Sequence, residues 1–156
     1  MWDGVQWQLA AIDSIGDIGR YTSLALDSIG QVHISYYDHT QGALKYARRT
    51  STGWSVETID DQDLSGQYTS LALDGLDRPR ISYYRADWGG LKYAAWNGVN
   101  WEIQPVNMSW QAGQHTSLLI DPYGQPLIAF YDGEYRDAKL ARLGLPFYLP
   151  AVSRAP

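Results

Sequence analysis

The side chains of this sequence best suited to chemistry are aromatic rings and carboxylates. Its 156 residues include 7 Trp, 12 Tyr and 2 Phe, with 17 acidic side chains, 12 basic ones, 3 His and no Cys. Thiolate nucleophiles, disulfides and thiolate metal sites are therefore excluded. His33, His39 and His115 lack metal-ligand spacing, so no metal is expected. No Gly-rich phosphate loop occurs, and no cofactor is expected. What remains is stacking chemistry. An exposed Trp or Tyr face packs on the C–H face of a sugar, while nearby Asp, Asn, Gln or Arg side chains bond its hydroxyls. The net charge of −5, with no Lys/Arg run, argues against nucleic acid and anionic membrane as partners. No apolar run approaches the ~18 residues of a membrane span. Met1-Trp2-Asp3-Gly4 does not read as a secretory signal, although an extracellular setting is favoured.

An internal repeat separates the aromatics the fold needs from those it does not. Tyr21-Thr22-Ser23-Leu24-Ala25-Leu26-Asp27 recurs from Tyr68 and again, loosely, from His115, each 47 residues on. Ile34-Ser35-Tyr36-Tyr37, Lys45 and Trp54 keep the same pitch. Each unit carries four short β-rich runs, in the first unit Tyr21–Asp27, Gln31–Asp38, Ala43–Arg48 and Trp54–Asp60, separated by turn-forming residues. We label them A to D. No segment sustains a 3.6-residue apolar period, so no helix is expected. Four antiparallel strands in about 45 residues is the arithmetic of a β-propeller blade.

The units Tyr-x-Ser-Leu-Ala-Leu-Asp, Ile-Ser-Tyr-Tyr-Asp and Leu-Lys-Tyr-Ala resemble those of bacterial β-propeller repeat proteins, over residues 7–142. The resemblance implies fold rather than activity. The predicted architecture is all-β, with three four-stranded blades in residues 1–142 and motifs beginning at 21, 68 and 115. Residues 1–13 supply a D strand without its own blade, and the third blade has no clear D strand. Three blades fall short of the ~4–8 of known closed rings and leave apolar faces open. The chain is therefore expected to associate with itself, the N-terminal strand completing the third blade of a neighbour. Two copies give six blades, the favoured count; three give nine. An excised piece of a longer propeller is the alternative. Residues 143–156 form a Pro-containing tail that packs outside the ring or competes for the missing D position.

In such a blade the D–A and B–C loops share one face, which the resemblance implies as the binding face. Trp88 and Tyr135 fall in B–C loops and Trp110 in a D–A loop. The two tryptophans break the repeat, so packing does not require them. Tyr21, Tyr68 and His115 are expected to ring the channel mouth on that face. Asp38 and Asp132 are available to bond hydroxyls, as are His39, Arg85, Asp87 and Gln114. Trp7, Trp54 and Trp101 recur and read as blade packing. Ser23, Ser70 and Ser117 read as small packing residues, and Asp27, Asp74 and Asp121 as turn caps. The leading function is a non-catalytic module whose ligand is a glycan. The alternative is a self-assembling scaffold without a small-molecule site. A glycoside hydrolase comes third, because it needs two carboxylates about 5–10 Å apart and Arg85 replaces the acid at the position of Asp38 and Asp132.

Overall fold

Each repeat unit builds its first turn with its own carboxylate. Asp27 accepts hydrogen bonds from the backbone N–H groups of Ile29 (3.1 Å) and Gln31 (2.7 Å). Asp74 and Asp121 do the same for the residues two and four places on. These are the expected turn caps. The β-branched and aromatic runs between turns pair into antiparallel ladders. The computed structural model describes residue 4 and residues 6–143, so the expected tail, apart from Leu143, lies outside the described residues. Within them there are eleven strands and no helix.

The strands form three sheets in sequence order. The first is β1 (Ile18–Leu26), β2 (Val32–Asp38), β3 (Ala43–Thr50) and β4 (Gly53–Asp60). The second is β5 (Ser65–Leu73), β6 (Pro79–Arg85), β7 (Leu91–Trp96) and β8 (Trp101–Asn107). The third has β9 (Ala112–Ile120), β10 (Pro126–Asp132) and β11 (Asp137–Arg142). β1, β5 and β9 start 47 residues apart, at Ile18, Ser65 and Ala112. The A strands begin about three residues earlier than the sequence suggests, because each continues through a bulge. Tyr21, Tyr68 and His115 sit at those bulges with φ of 55°, 52° and 52°.

β5 lies between β1 and β9, so the sheets stack through their inner strands. One buried cluster joins the first sheet to the second through Leu44, Tyr46, Leu71, Ile81 and Tyr83. Another joins the second to the third through Leu91, Tyr93, Leu118, Ile128 and Phe130. Gly66 and Gly113 permit this approach, since a Cβ on either would stand 2.7 Å from the Cα of Leu44 or Leu91. Hydroxyls then stitch the inner strands. Thr69 Oγ1 donates to the Tyr21 carbonyl (3.3 Å) and Ser23 Oγ accepts from the Leu71 N–H (3.0 Å). Thr116 and Ser70 repeat the pattern at 2.8 and 2.9 Å. The repeated serines are thus hydrogen-bonded links rather than merely small residues.

Residues 8–13 join none of the three sheets, since a strand exists only where a partner edge satisfies its backbone. They lie instead against the first sheet. Asp13 Oδ2 accepts from Tyr36 OH (2.9 Å) and pairs with Lys45 Nζ (2.7 Å). Asp60, at the end of β4, makes the same tie to the second sheet through Tyr83 OH (2.7 Å) and Lys92. Burial alone would raise the Asp60 carboxyl, but the hydrogen bonds from Lys92 and Tyr83 outweigh it and hold the group below the usual carboxylate range. In the third sheet Asn107 and Phe130 replace the pair, and Lys139 turns to Asp132 (2.5 Å).

Removing the buried Asp60 charge strands Lys92 and Tyr83. Asp60→Asn is expected to lose about 3 kcal/mol in urea unfolding. Adding Tyr83→Phe and Arg85→Asp rebuilds the set used by the third sheet, and should recover most of that loss.

Candidate functional site

The sheets touch at their inner strands and are bridged farther out only by long side chains. Between the first and second sheets this leaves a cleft of about 280 Å³ on the side of the A–B turns. β3 contributes Arg48, β4 contributes Glu57, and the end of β7 and start of β8 contribute Trp96 and Trp101. The two indoles meet edge-on, with ring centroids 5.7 Å apart, and Trp101 also packs its ring against buried Tyr46 at 5.3 Å. Trp101 Nε1 donates to Glu57 Oε2 (3.1 Å), which fixes one carboxylate oxygen. Arg48 and Glu57 are exposed. The far wall is the second A–B turn, where Asp77 accepts from Ser28 N–H (3.0 Å) and Ser28 Oγ (2.5 Å). An apolar indole wall beside an arginine and a carboxylate can hold a polyhydroxylated ring by stacking and by directional hydrogen bonds.

His33 closes the floor. It is 2% exposed, its Nδ1 lies 2.5 Å from Tyr46 OH, and its Nε2 is 3.5 Å from Asp27. Burial pushes the imidazole below its ordinary value, and the attraction of Asp27 offsets this only in part.

The loop face holds the residues singled out from the repeat. Trp88 is 69% exposed, Trp110 58% and Tyr135 60%. Gly89 brings the first two loops together, since a Cβ there would meet the Gln111 N–H nitrogen at 2.4 Å. Gly133 N–H donates to the Gln111 carbonyl (3.1 Å), so the Tyr135 loop joins the same group. One face of Tyr135 already carries Lys139 Nζ at 4.2 Å from the ring centroid. Asp38 and Asp132 are not offered to a ligand. Both are buried turn residues: Asp38 accepts from the Gln41 N–H (2.9 Å), and Asp132 accepts from the N–H groups of Glu134 and Tyr135 and pairs with Lys139. A short acid at the end of a B strand caps its own turn, while Asp38 Oδ2 lies 3.8 Å from Lys45 Nζ. Arg85 is engaged with Asp63 and Asp87.

Tyr21, Tyr68 and His115 form a continuous row along the inner strands, with centroids 4.5 and 4.4 Å apart. With the following threonines they line an open cavity of about 300 Å³. Left-handed backbone at three non-glycine residues costs roughly 1 kcal/mol or more each. The repetition of this strain in every unit marks it as part of the blade.

No protein-family model matches the chain, and no curated protein matches it in sequence. Among solved structures it is similar to a fucose lectin from Kordia zhangzhouensis, determined in complex with methyl-fucoside. The likeness has a TM-score of 0.53 and 17% sequence identity, and it covers 78% of this chain and 91% of the lectin chain. The likeness is one of fold. It agrees with the propeller type read from the repeat.

The cleft residues escaped the sequence reading because Trp101 recurs as a packing residue and the others lie on strands. The repeat carries part of their signal: Trp96 aligns with Trp2, Arg49 and Leu143, and Glu57 with Ala10, Gln104 and Ala151.

A group whose pKa is depressed by folding stabilises the fold above its unfolded value and loses that contribution as pH falls. For His33 the loss begins below about 6.5. Asp74, held down to about 2 by Arg80 and Arg78 against the opposing effect of burial, loses its share only below about 4. Melting temperature is therefore expected to drop from pH 7 to 5, and His33→Gln should flatten that segment while leaving the steeper fall below pH 4. An unchanged slope between pH 7 and 5 in the variant would contradict the assignment.

Proposed function

We propose that the chain is a non-catalytic carbohydrate-binding module, with the sugar held in the cleft between the first and second sheets. The observation that carries this reading is the Trp96–Trp101 indole pair set beside Glu57 and Arg48. The fold likeness to a lectin supports it. A second surface, the loop face of Trp88 and Trp110, is favoured by their exposure and by the Gly89 contact that joins their loops. It has fewer polar groups to offer, because Asp87 already bonds the Trp88 N–H and pairs with Arg85.

The test is a glycan array followed by calorimetry on the best binder. Trp96→Ala and Glu57→Gln are each expected to weaken binding about tenfold or more, on the scale of one stacked aromatic or one charged hydrogen bond. Trp88→Ala should leave affinity unchanged. The reverse pattern assigns the sugar to the loop face. Absence of any glycan binding by the folded protein supports the scaffold reading.

We further infer that the functional particle is a closed ring made by association of copies of this chain, two copies giving six blades. The apolar faces of both end sheets support this, with Leu24 68%, Leu26 61% and Leu140 63% exposed. Light scattering should give about 35 kDa, twice the 17.6 kDa chain mass. A mass near 53 kDa would select nine blades, and a monomer would overturn ring closure.

A further inference from the structure

We propose that the seam of the ring is built by residues 7–13 of one copy entering the groove between β8 and β11 of a second, in the register already used twice inside the chain. This rests on the inference of ring closure, not on the assignment of the sugar. The occupant is argued from four features of the two chain ends.

The first is the groove itself. About 410 Å³ opens beside β11, lined by Tyr93, Gln104, Val106, Ile128, Leu140 and Leu143. At the preceding boundary the corresponding cleft is narrowed to about 280 Å³, with Trp101 as one wall packed on Tyr46 and bonded to Glu57. One repeat on, those three positions become Tyr148, Tyr93 and Gln104, and Trp7 occupies the same repeat position as Trp101 two units earlier. The N-terminal segment carries an indole at this repeat position, and Trp7 is 72% exposed.

The second is the tie at Asp13. Its bonds to Tyr36 and Lys45 duplicate those of Asp60 to Tyr83 and Lys92. Residues 7–13 thus approach the first sheet as β4 approaches the second, and they leave it where the edge of a preceding sheet must lie.

Third, the hydrogen-bonding groups of the inner strands match across the seam. Inside the chain, threonine donates to the carbonyl of the preceding aromatic residue, and the preceding serine accepts from a leucine N–H. Continued by one repeat, Thr22 reaches the His115 carbonyl and Leu24 N–H reaches Ser117 Oγ of the second copy. Donors stand at one end of the chain and acceptors at the other. Such a contact is head-to-tail, and it makes a ring where the rotation per copy closes.

Last, Gly66 and Gly113 admit Leu44 and Leu91 of the preceding sheet. Gly19 keeps the residue and a φ of +89°, and among the described residues no atom lies within 4 Å of where its Cβ would stand. The position facing it across the seam is Ala138.

The register follows. Ala47 pairs with Val56 in the first sheet and Ala94 with Ile103 in the second. The next pair in the series is Ala141 with Leu9 of another copy, and Leu9 is 93% exposed. The native chain has no cysteine, so Leu9→Cys with Ala141→Cys introduces the only two thiols. Directly opposed strand residues lie within disulfide reach. Leu9→Cys with Ala138→Cys is displaced by three residues, about 10 Å along the strand, and lies outside it. Mild oxidation should covalently link copies of the first variant, giving a reduction-sensitive species at two or more chain masses, and should leave the second unlinked. A disulfide inside a single chain, no link in a variant that keeps its native mass, or equal linking of both variants would overturn the seam. If the double variant does not fold, the native mass of the unaltered chain decides, and a monomer overturns the proposal. Sugar binding is measured on the same samples. Because Arg48, Glu57, Trp96 and Trp101 lie within one chain, loss of the seam and loss of the sugar site are distinguishable.

Discussion

The close approach of the inner strands is the constraint on which the rest of this structure depends. Gly66 and Gly113 allow one strand to sit on the backbone of the next sheet, and Thr69, Thr116, Ser23 and Ser70 lock it there. A side-chain hydroxyl bonded to a neighbouring backbone specifies both distance and register, which apolar packing alone does not. Two consequences follow. The bulges at Tyr21, Tyr68 and His115 line up, so their rings stack in a row. The outer strands, held only through their inner partners, are spanned by long side chains such as Trp101 reaching Glu57, and space for a ligand remains between them.

That geometry repeats, but its chemistry does not. The position of Arg48 becomes Ala95 in the second unit, Glu57 becomes Gln104, and Trp96 becomes Leu143. One boundary per chain therefore has the indole pair with both charged groups. The groove beside β11 has neither the indole pair nor the carboxylate, and its lining mixes Val106, Ile128 and Leu140 with Gln104 and Arg142. In a structure of nearly identical sheets, a few substitutions on strands β3, β4, β7 and β8 give each boundary its own chemistry, which is what the proposed division between binding and assembly rests on.

Much of the fold was legible because the repeat is so regular. The pitch located every sheet, and the Asp-x-x-Gly and related turns marked the A–B connections. The strand starts were read late, since a left-handed Tyr in mid-strand has no sequence signal apart from its recurrence. Burial was the larger obstacle at the site. An aspartate after Tyr36-Tyr37 serves equally well, on paper, as a turn cap or as a ligand, and only packing shows that Asp38 is enclosed. Trp101 misled in the opposite direction. It recurs because it packs on Tyr46, yet the same ring also forms one wall of the cleft. A repeated residue has one structural role in every unit, and its neighbours decide whether it acquires another.

The ties between sheets carry a further argument about rigidity. Asp13 and Asp60 each bind a tyrosine hydroxyl and a lysine of the following sheet, whereas the equivalent positions one repeat on are Asn107 and Phe130, and Lys139 pairs with Asp132 within its own sheet. The boundary between the second and third sheets therefore lacks the ion pair found at the other two positions. Asp13 belongs to the segment that would leave its own chain. Its exit point is fixed before any second copy arrives, and a segment ordered in advance loses less conformational freedom on docking. In the proposed seam the charge pair stands at the end of the donated segment, where it would anchor the strand, whereas the equivalent positions between the second and third sheets are Asn107 and Phe130 in a continuous chain.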